Sequence, residues 1–141
     1  MSNWTPAQWF AGIAGLLLLV GGVCGLTVVD GGDVFSEGGD IEGDDLLIFE
    51  VNGWLSLFWL VTGAIGVITA IIGAGAAKQY AGIAGLVLLV VAVWGIIDDN
   101  TVADIFTVNR EDNLLHLGLG LIGLDAAMLS GPGKRYRKVS R

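Results

Sequence analysis

Apolar residues are concentrated in four long runs, and polar residues lie almost entirely between them. The runs cover residues 6–29, 52–73, 79–97 and 109–130. Each contains about 20 residues, the length that an α-helix needs to cross about 30 Å of hydrocarbon. No connection between the runs has room for a separate soluble domain. The pattern therefore predicts an all-α protein with four transmembrane helices in a single integral membrane domain, residues 1–141.

Two parts of this pattern occur twice. The stretches 49–67 and 106–124 both begin with Phe-x-Val-Asn, and they align at an offset of 57 with glycines at matched positions. Residues 11–25 and 81–95 are identical at 11 of 15 positions, at an offset of 70. Apolar segments share a small alphabet, but the common order of both matches favours duplication over chance.

The duplicated unit is a hairpin of two helices. Repeat one covers about residues 6–77 and repeat two about residues 78–130. A two-helix unit returns the chain to its starting side, so the two copies run parallel and are related by an axis along the membrane normal. We therefore expect two parallel two-helix repeats that form a compact antiparallel bundle.

Glycine is unusually frequent and recurs on one face of two helices. The chain has 23 glycines among 141 residues, and small residues let membrane helices approach closely. In the fourth helix His116, Gly120 and Gly123 share one face. The equivalent glycines of the second helix are Gly63 and Gly66. We expect all four glycines to pack against helices and not against lipid.

Charged residues are distributed unevenly between the loops. Five of the seven basic residues lie in the tail, residues 131–141, another is Lys78, and Arg110 alone lies on the other side. Short loops rich in Lys and Arg stay in the cytoplasm. This predicts a multi-pass plasma-membrane protein with both termini cytoplasmic and two acidic loops outside. Asp outnumbers Glu ten to four, a balance that resembles proteins of salt-loving archaea. No nucleic-acid partner is expected.

Asn52 and Asn109 each stand where an extended loop becomes a helix. Side-chain capping of the exposed N–H groups accounts for both residues. Glu111 and Asp112 follow Asn109 in the first helical turn, where acids interact favourably with the helix dipole. We interpret both asparagines as helix caps, and a functional polar role is the alternative.

His116 and Asp125 are polar residues inside an apolar run. His116 either forms an interhelical hydrogen bond or serves in proton transfer, metal ligation or headgroup binding. Asp125 either reaches the interface, pairs with Lys78 or Lys134, or is protonated, and ion or proton passage is its functional alternative. Nine residues correspond to about 900° of helical rotation, which argues against a His–Asp couple on one face. The equivalent of Asp125 in repeat one is Ile68.

Metal, cofactor and catalytic sites are not indicated. The acidic segment DIEGDD, residues 40–45, departs from an EF-hand loop where Asp45 and Val51 stand. A single histidine with no cysteine in reach makes a metal site improbable. No nucleophile motif or phosphate-binding loop accompanies the repeats. We expect no cofactor, no metal and no catalytic residue.

The fourth helix carries the most specific string of the chain, NLLHLGLGLIGL, at residues 113–124. Together with four spans and the preceding Phe-x-Val-Asn, it resembles the small bacterial and archaeal membrane proteins grouped as domain of unknown function 4383. The resemblance covers essentially the whole chain. The family's pattern matches Asn109, Asn113, His116, Gly120 and Gly123. It implies the fold and the topology, and it implies no activity.

Two classes of function remain. The first is a non-enzymatic structural or accessory protein of the lipid bilayer, which associates as a homo-oligomer or within a larger membrane complex through its glycine-rich helix faces. The alternative is a small proton or cation transporter, or a channel component, that uses His116 or Asp125. An enzyme is a distant third. A bundle this rich in glycine leaves no obvious pore, so conduction would require an oligomer.

Overall fold

The structure is a bundle of four helices with two small β-hairpins at one end. The computed structural model describes residues 4–29, 35, 43–98 and 101–131. The helices are α1 (Pro6–Val28), α2 (Gly53–Ile72), α3 (Ala74–Ile97) and α4 (Arg110–Leu129). Each is long and apolar enough to cross a membrane. The predicted all-α bundle of four transmembrane helices is confirmed, and the chain is a multi-pass membrane protein.

The hairpins lie in the two connections that join α1 to α2 and α3 to α4. In the first hairpin β1 (Asp44–Leu46) pairs with β2 (Phe49–Val51), and in the second β3 (Thr101–Val102) pairs with β4 (Phe106–Thr107). Phe-x-Val-Asn thus supplies the second strand of each hairpin and the residue that caps the next helix. We call this end of the bundle the hairpin end and the opposite end the terminal end.

At the terminal end, α3 begins earlier than the sequence predicts. It starts at Ala74 and not at Gln79, so Lys78 lies on a helix and not in a loop. Gly73 alone separates α2 from α3, with a φ of 141° that other residues rarely adopt. The predicted start of α3 was wrong because the glycines of this segment have low helix propensity, which favours a loop. In the structure Ala77 is fully buried, and its packing stabilises the helix in spite of that low propensity.

Ser130 connects several helices at the terminal end. Its Oγ accepts a hydrogen bond from the Ala7 N–H at 2.9 Å, and its carbonyl oxygen accepts one from Lys78 Nζ at 2.6 Å. Beside it, Gln8 Nε2 donates to the Ala70 carbonyl oxygen at 3.0 Å. These three bonds join the terminal ends of all four helices.

In the first helix pair, glycines bring α1 and α2 into backbone contact. A Cβ atom on Gly63 would lie 2.6 Å from the carbonyl oxygen of Gly15. A Cβ atom on Gly66 would lie 2.9 Å from the carbonyl oxygen of Ala11. Both distances are too short for a real side chain, so the close approach of the two helices requires glycine here.

The second helix pair repeats these contacts between α3 and α4. A Cβ atom on Gly120 would lie 2.9 Å from the carbonyl oxygen of Gly85, and one on Gly123 would lie 3.0 Å from that of Ala81. The residues involved are those of the first pair, shifted by 57 for α4 and by 70 for α3. The four glycines singled out by the sequence therefore lie against a neighbouring helix of the same chain.

The interior between the two helix pairs is filled by side chains. Towards the terminal end, alanines of all four helices surround the rings of Phe10 and Tyr80, whose centroids are 6.3 Å apart. Towards the hairpin end, Trp59 packs with Leu18, Leu55 and other aliphatic residues. The outer surface carries exposed Ile, Leu and Val side chains, which suits contact with lipid chains.

Candidate functional site

The interior of the bundle, in the half towards the hairpin end, holds a hydrogen-bonded pair of aromatic side chains, Trp59 of α2 and His116 of α4. Trp59 Nε1 donates to His116 Nε2 at 3.0 Å, and the ring planes are inclined at 79°. Trp59 is 2% exposed and His116 is fully buried. The two residues are 57 positions apart, the offset that aligns the stretches 49–67 and 106–124, so aligned positions contact each other.

The geometry of this pair determines the tautomer of His116. An indole N–H can only donate, so His116 Nε2 must be the acceptor nitrogen and the imidazole must be neutral with its proton on Nδ1. His116 Nδ1 has no hydrogen-bond partner among the described residues. The interhelical hydrogen bond considered in the sequence is therefore formed, and Nδ1 is the nitrogen that remains available for other chemistry.

Asp125 lies on the outer face of α4, away from His116. Its side chain is exposed and borders a groove of 430 Å³ between α1 and α4, beside Pro6, Trp9 and Leu129. The described residues form no hydrogen bond or ion pair with Asp125. The two polar residues are thus separate features of the molecule.

The expected pairing of Asp125 with Lys78 is not formed. Lys78 Nζ instead donates to the carbonyl oxygen of Ser130, because α3 carries Lys78 to the end of α4 and not to its outer face. The alternative partner, Lys134, lies outside the described residues. Asp125 therefore presents its carboxyl group to the surroundings of the bundle.

Asn52 and Asn109 each bond to both repeats. Asn52 Oδ1 accepts from the Leu55 N–H at 2.8 Å and caps α2, while its Nδ2 donates to the carbonyl oxygen of Ile105 at 2.6 Å. Asn109 Nδ2 donates in the same way to the carbonyl oxygen of Ile48 at 2.8 Å. Each asparagine therefore begins its own helix and holds the hairpin turn of the other repeat.

Asp112 is a buried residue that sequence reasoning treated only as a first-turn acid. Its Oδ2 accepts the backbone N–H groups of Asn109 and Glu50, each at 3.0 Å, and the side chain is fully buried. Asn109 Oδ1 in turn accepts from the Asp112 N–H, which completes a capping box. The three-residue spacing from Asn109 indicated the box, but the bond to Glu50 depends on the tertiary structure.

Two other buried oxygen atoms face glycines across a helix pair. A Cβ atom on Gly25 would collide with Ser56 Oγ, and one on Gly95 would collide with Asn113 Oδ1. Neither oxygen has a conventional hydrogen-bond partner in the part of the chain that the structure describes. Weak Cα–H···O contacts of this kind recur at helix interfaces. They give Asn113, part of the string in α4, a packing role.

The described polar residues are dispersed, and each is held by separate contacts. Within the described ranges, no group of three or more His, Cys, Asp or Glu side chains could hold a metal ion. His116 faces Trp59, and the buried Asp112 faces backbone N–H groups. These contacts fix the positions of the helices relative to one another. A few buried polar atoms of the described residues have no hydrogen-bond partner.

Comparison with known proteins gives one family match. The family model described as Domain of unknown function (DUF4383) matches residues 8–129, from the first turn of α1 to the end of α4. Neither the curated proteins nor the solved structures gave a significant match. The matched region includes the string at residues 113–124 that suggested the resemblance. The chain therefore belongs to the DUF4383 family.

Proposed function

We propose that this protein is a non-enzymatic accessory protein of the plasma membrane that binds another membrane protein. The observation that carries the proposal is the exposed carboxyl group of Asp125 on the outer face of a filled bundle, which has no hydrogen-bond or ion-pair partner among the described residues. A filled interior favours association over passage of a solute. An exposed acid within a membrane span favours association with a basic partner.

The expected association surface, the glycine-rich faces, needs revision. Gly63, Gly66, Gly120 and Gly123 all lie against the neighbouring helix of their own hairpin. A second protein would have to separate these helices before it reached the glycines. The surface that we propose instead is the groove between α1 and α4 that Asp125 borders.

The chemistry of this groove indicates the kind of partner. Its other lining residues are almost all apolar, and they include Trp9, Ile13 and Leu119. A transmembrane helix with an apolar face and one Lys or Arg would fill the groove and neutralise Asp125. Ionisable residues inside membranes are costly unless they pair in this way. The partner helix would carry its basic residue near the level of the terminal end.

Co-purification in mild detergent tests the proposal. We expect a protein that co-purifies with the wild-type chain to be lost from Asp125→Asn and Asp125→Lys, and to be retained by Asp125→Glu. Ile68→Asn is the matched control, because Ile68 is the equivalent exposed residue on α2. If the co-purified proteins are the same for all four variants, Asp125 does not bind a partner.

Proton or cation passage through His116 or Asp125 is the second candidate function. It is favoured by the buried atoms His116 Nδ1 and Asp112 Oδ1, which have no hydrogen-bond partners among the described residues. Unpaired buried polar groups are uncommon and mark sites that exchange protons or hold water. Proton flux into liposomes, compared between the wild type and His116→Gln, tests this candidate.

The orientation forms part of the proposal. The basic residues support cytoplasmic termini, with the terminal end of the bundle inside and the hairpin end outside. Cysteines placed at Ser36 and Ser140, in a Cys24→Ser background, should react with impermeant reagents from opposite sides of the membrane. Both positions lie outside the described residues. Reaction of both from the same side would contradict the four-span topology.

A further inference from the structure

The turn of the first β-hairpin presents two large apolar side chains to the surroundings. Leu47 is 89% exposed and Ile48 is 64% exposed. Leu47 is the most exposed large hydrophobic residue in the part of the chain that the structure describes. Asp45 and Glu50 pair across the strands just behind this turn. We call Leu47 and Ile48 the apolar tip. An exposed apolar patch that is surrounded by polar residues is typical of a contact surface.

The backbone of the turn makes leucine an unfavourable choice. Leu47 has a φ of 62°, in the left-handed region where the Cβ atom of a bulky residue crowds the backbone. Glycine, asparagine or aspartate adopts this conformation more readily. Leucine at this position is therefore disfavoured twice, by its conformation and by its exposure to water.

The second hairpin shows that the fold does not require leucine here. At the repeat offset of 57, the equivalent of Leu47 is Asp104, which is also exposed and has a φ of 52°. Both hairpins also present the carbonyl oxygen of the following isoleucine, Ile48 or Ile105, to a capping asparagine. The apolar tip is thus a property of the first hairpin alone, and it serves something other than the turn.

The position of the tip indicates what it contacts. The bond from Asn109 to Ile48 holds the tip at the level where α4 begins. α4 is the least apolar of the four spans, with a mean hydropathy of 1.2 against 2.2 to 2.4 for the others. Its first exposed large apolar residue is Leu114, more than one turn inside the helix. The tip therefore adds apolar surface at the corner of the bundle where the helix itself offers least.

One positively charged side chain, that of Arg110, can bind lipid phosphate at this corner, among the acidic residues Asp45, Glu50 and Glu111. Arg110, the first residue of α4, is exposed and follows Asn109 directly. A guanidinium group is well suited to bind a phosphate at the level of the lipid headgroups. An apolar pair beside an arginine matches the boundary between headgroups and acyl chains.

We propose that the first hairpin is an interfacial anchor, in which Leu47 and Ile48 enter the acyl boundary of the bilayer while Arg110 binds lipid phosphate. The second hairpin, with Asp104 at its turn, stays in water. The two hairpins therefore differ in environment, although each has a residue in the left-handed region at the equivalent position, Leu47 or Asp104. The anchor holds the hairpin end at a set depth and rotation relative to the membrane surface.

Depth-dependent fluorescence quenching tests this proposal. An environment-sensitive nitrobenzoxadiazole probe is attached to Leu47→Cys in a Cys24→Ser background, because Cys24 is exposed and free, and the full chain is reconstituted in phosphatidylcholine liposomes. We expect emission at shorter wavelength than for the same probe on Asp104→Cys, and loss of most of its intensity when lipids carry a nitroxide on a shallow acyl carbon. The probe on Asp104→Cys should show neither effect.

Any other result of the fluorescence measurement would contradict the proposed anchor. Equal, water-like emission from positions 47 and 104 would show that the tip lies in water. Emission at shorter wavelength without quenching by nitroxide lipids would show that the tip is covered by protein, such as a second copy of the chain. Ile48→Cys repeats the measurement if Leu47→Cys does not fold. Arg110→Gln should reduce the quenching at position 47, and unchanged quenching would remove the arginine from the anchor.

Discussion

Replacement of Gly63 by alanine tests the contact between α1 and α2 directly. The new methyl group would lie 2.6 Å from the carbonyl oxygen of Gly15 and 2.7 Å from Leu19 Cα, and it would also meet Leu19 N. Carbon atoms in favourable contact are about 3.5 to 4.0 Å apart. All three obstructing atoms belong to the α1 backbone, so no rotamer change relieves the clash and the helices must separate.

Two opposing effects determine the change in stability. Alanine favours the helix over glycine by about 1 kcal/mol. Overpacking costs about 1 to 3 kcal/mol, and a clash with backbone places Gly63→Ala in the upper part of that range. We expect a net loss of about 1 to 2 kcal/mol in the free energy of unfolding. Gly118→Ala is the control, because a Cβ atom there would have no neighbour within 4 Å.

Unfolding by sodium dodecyl sulfate in mixed micelles, followed by circular dichroism, measures both variants. The control should be as stable as the wild type, or more stable by up to about 1 kcal/mol, since it gains only helix propensity. Gly63→Ala should unfold at a lower mole fraction of the denaturing detergent. If Gly63→Ala were as stable as Gly118→Ala, the backbone contact between α1 and α2 would be wrong.

Three further predictions concern the polar residues. Asn52→Asp keeps the cap but places a carboxylate oxygen where Asn52 Nδ2 donates to the Ile105 carbonyl oxygen, so it should be less stable than the wild type by about 1 to 3 kcal/mol in detergent unfolding; stability equal to that of the wild type would contradict a structural role for the cross-hairpin bond. A double-mutant cycle of Trp59→Phe and His116→Leu should give a coupling of about 0.6 kcal/mol, the average for hydrogen bonds inside membranes, and additive effects would argue against the bond. Asp125→Asn should leave thermal stability and liposome proton flux unchanged, because the described residues offer Asp125 no partner; a lost flux would favour the transporter alternative.

The candidate site could be anticipated from the sequence only in part. Trp59 and His116 were aligned as equivalent residues, but alignment does not say that they touch. Their bond depends on how the two helix pairs pack, since only then do α2 and α4 face each other across the centre. The same holds for Asp112, whose bond to the Glu50 backbone joins residues 62 positions apart. No local pattern specifies such a distance.

The sequence by itself determined the number and the approximate limits of the spans. That information is local, because a helix must be apolar over about 20 residues to cross a bilayer, and because caps such as Asn52 and Asn109 act on the next three residues. It also determined the glycine faces, which follow from helical periodicity. These features need no knowledge of which helices become neighbours.

The tertiary structure decided what each of these features contacts. The glycine faces lie against a helix of the same chain, because α1 and α3 bring their own small residues against Gly63 and Gly120. Each capping asparagine also bonds to the hairpin that precedes the other capped helix. This is possible because Oδ1 alone forms the cap, and Nδ2 can donate to a carbonyl oxygen in the turn of that hairpin. Hydrophobicity is non-directional and specifies burial, whereas hydrogen bonds and backbone contacts between distant residues specify the partner.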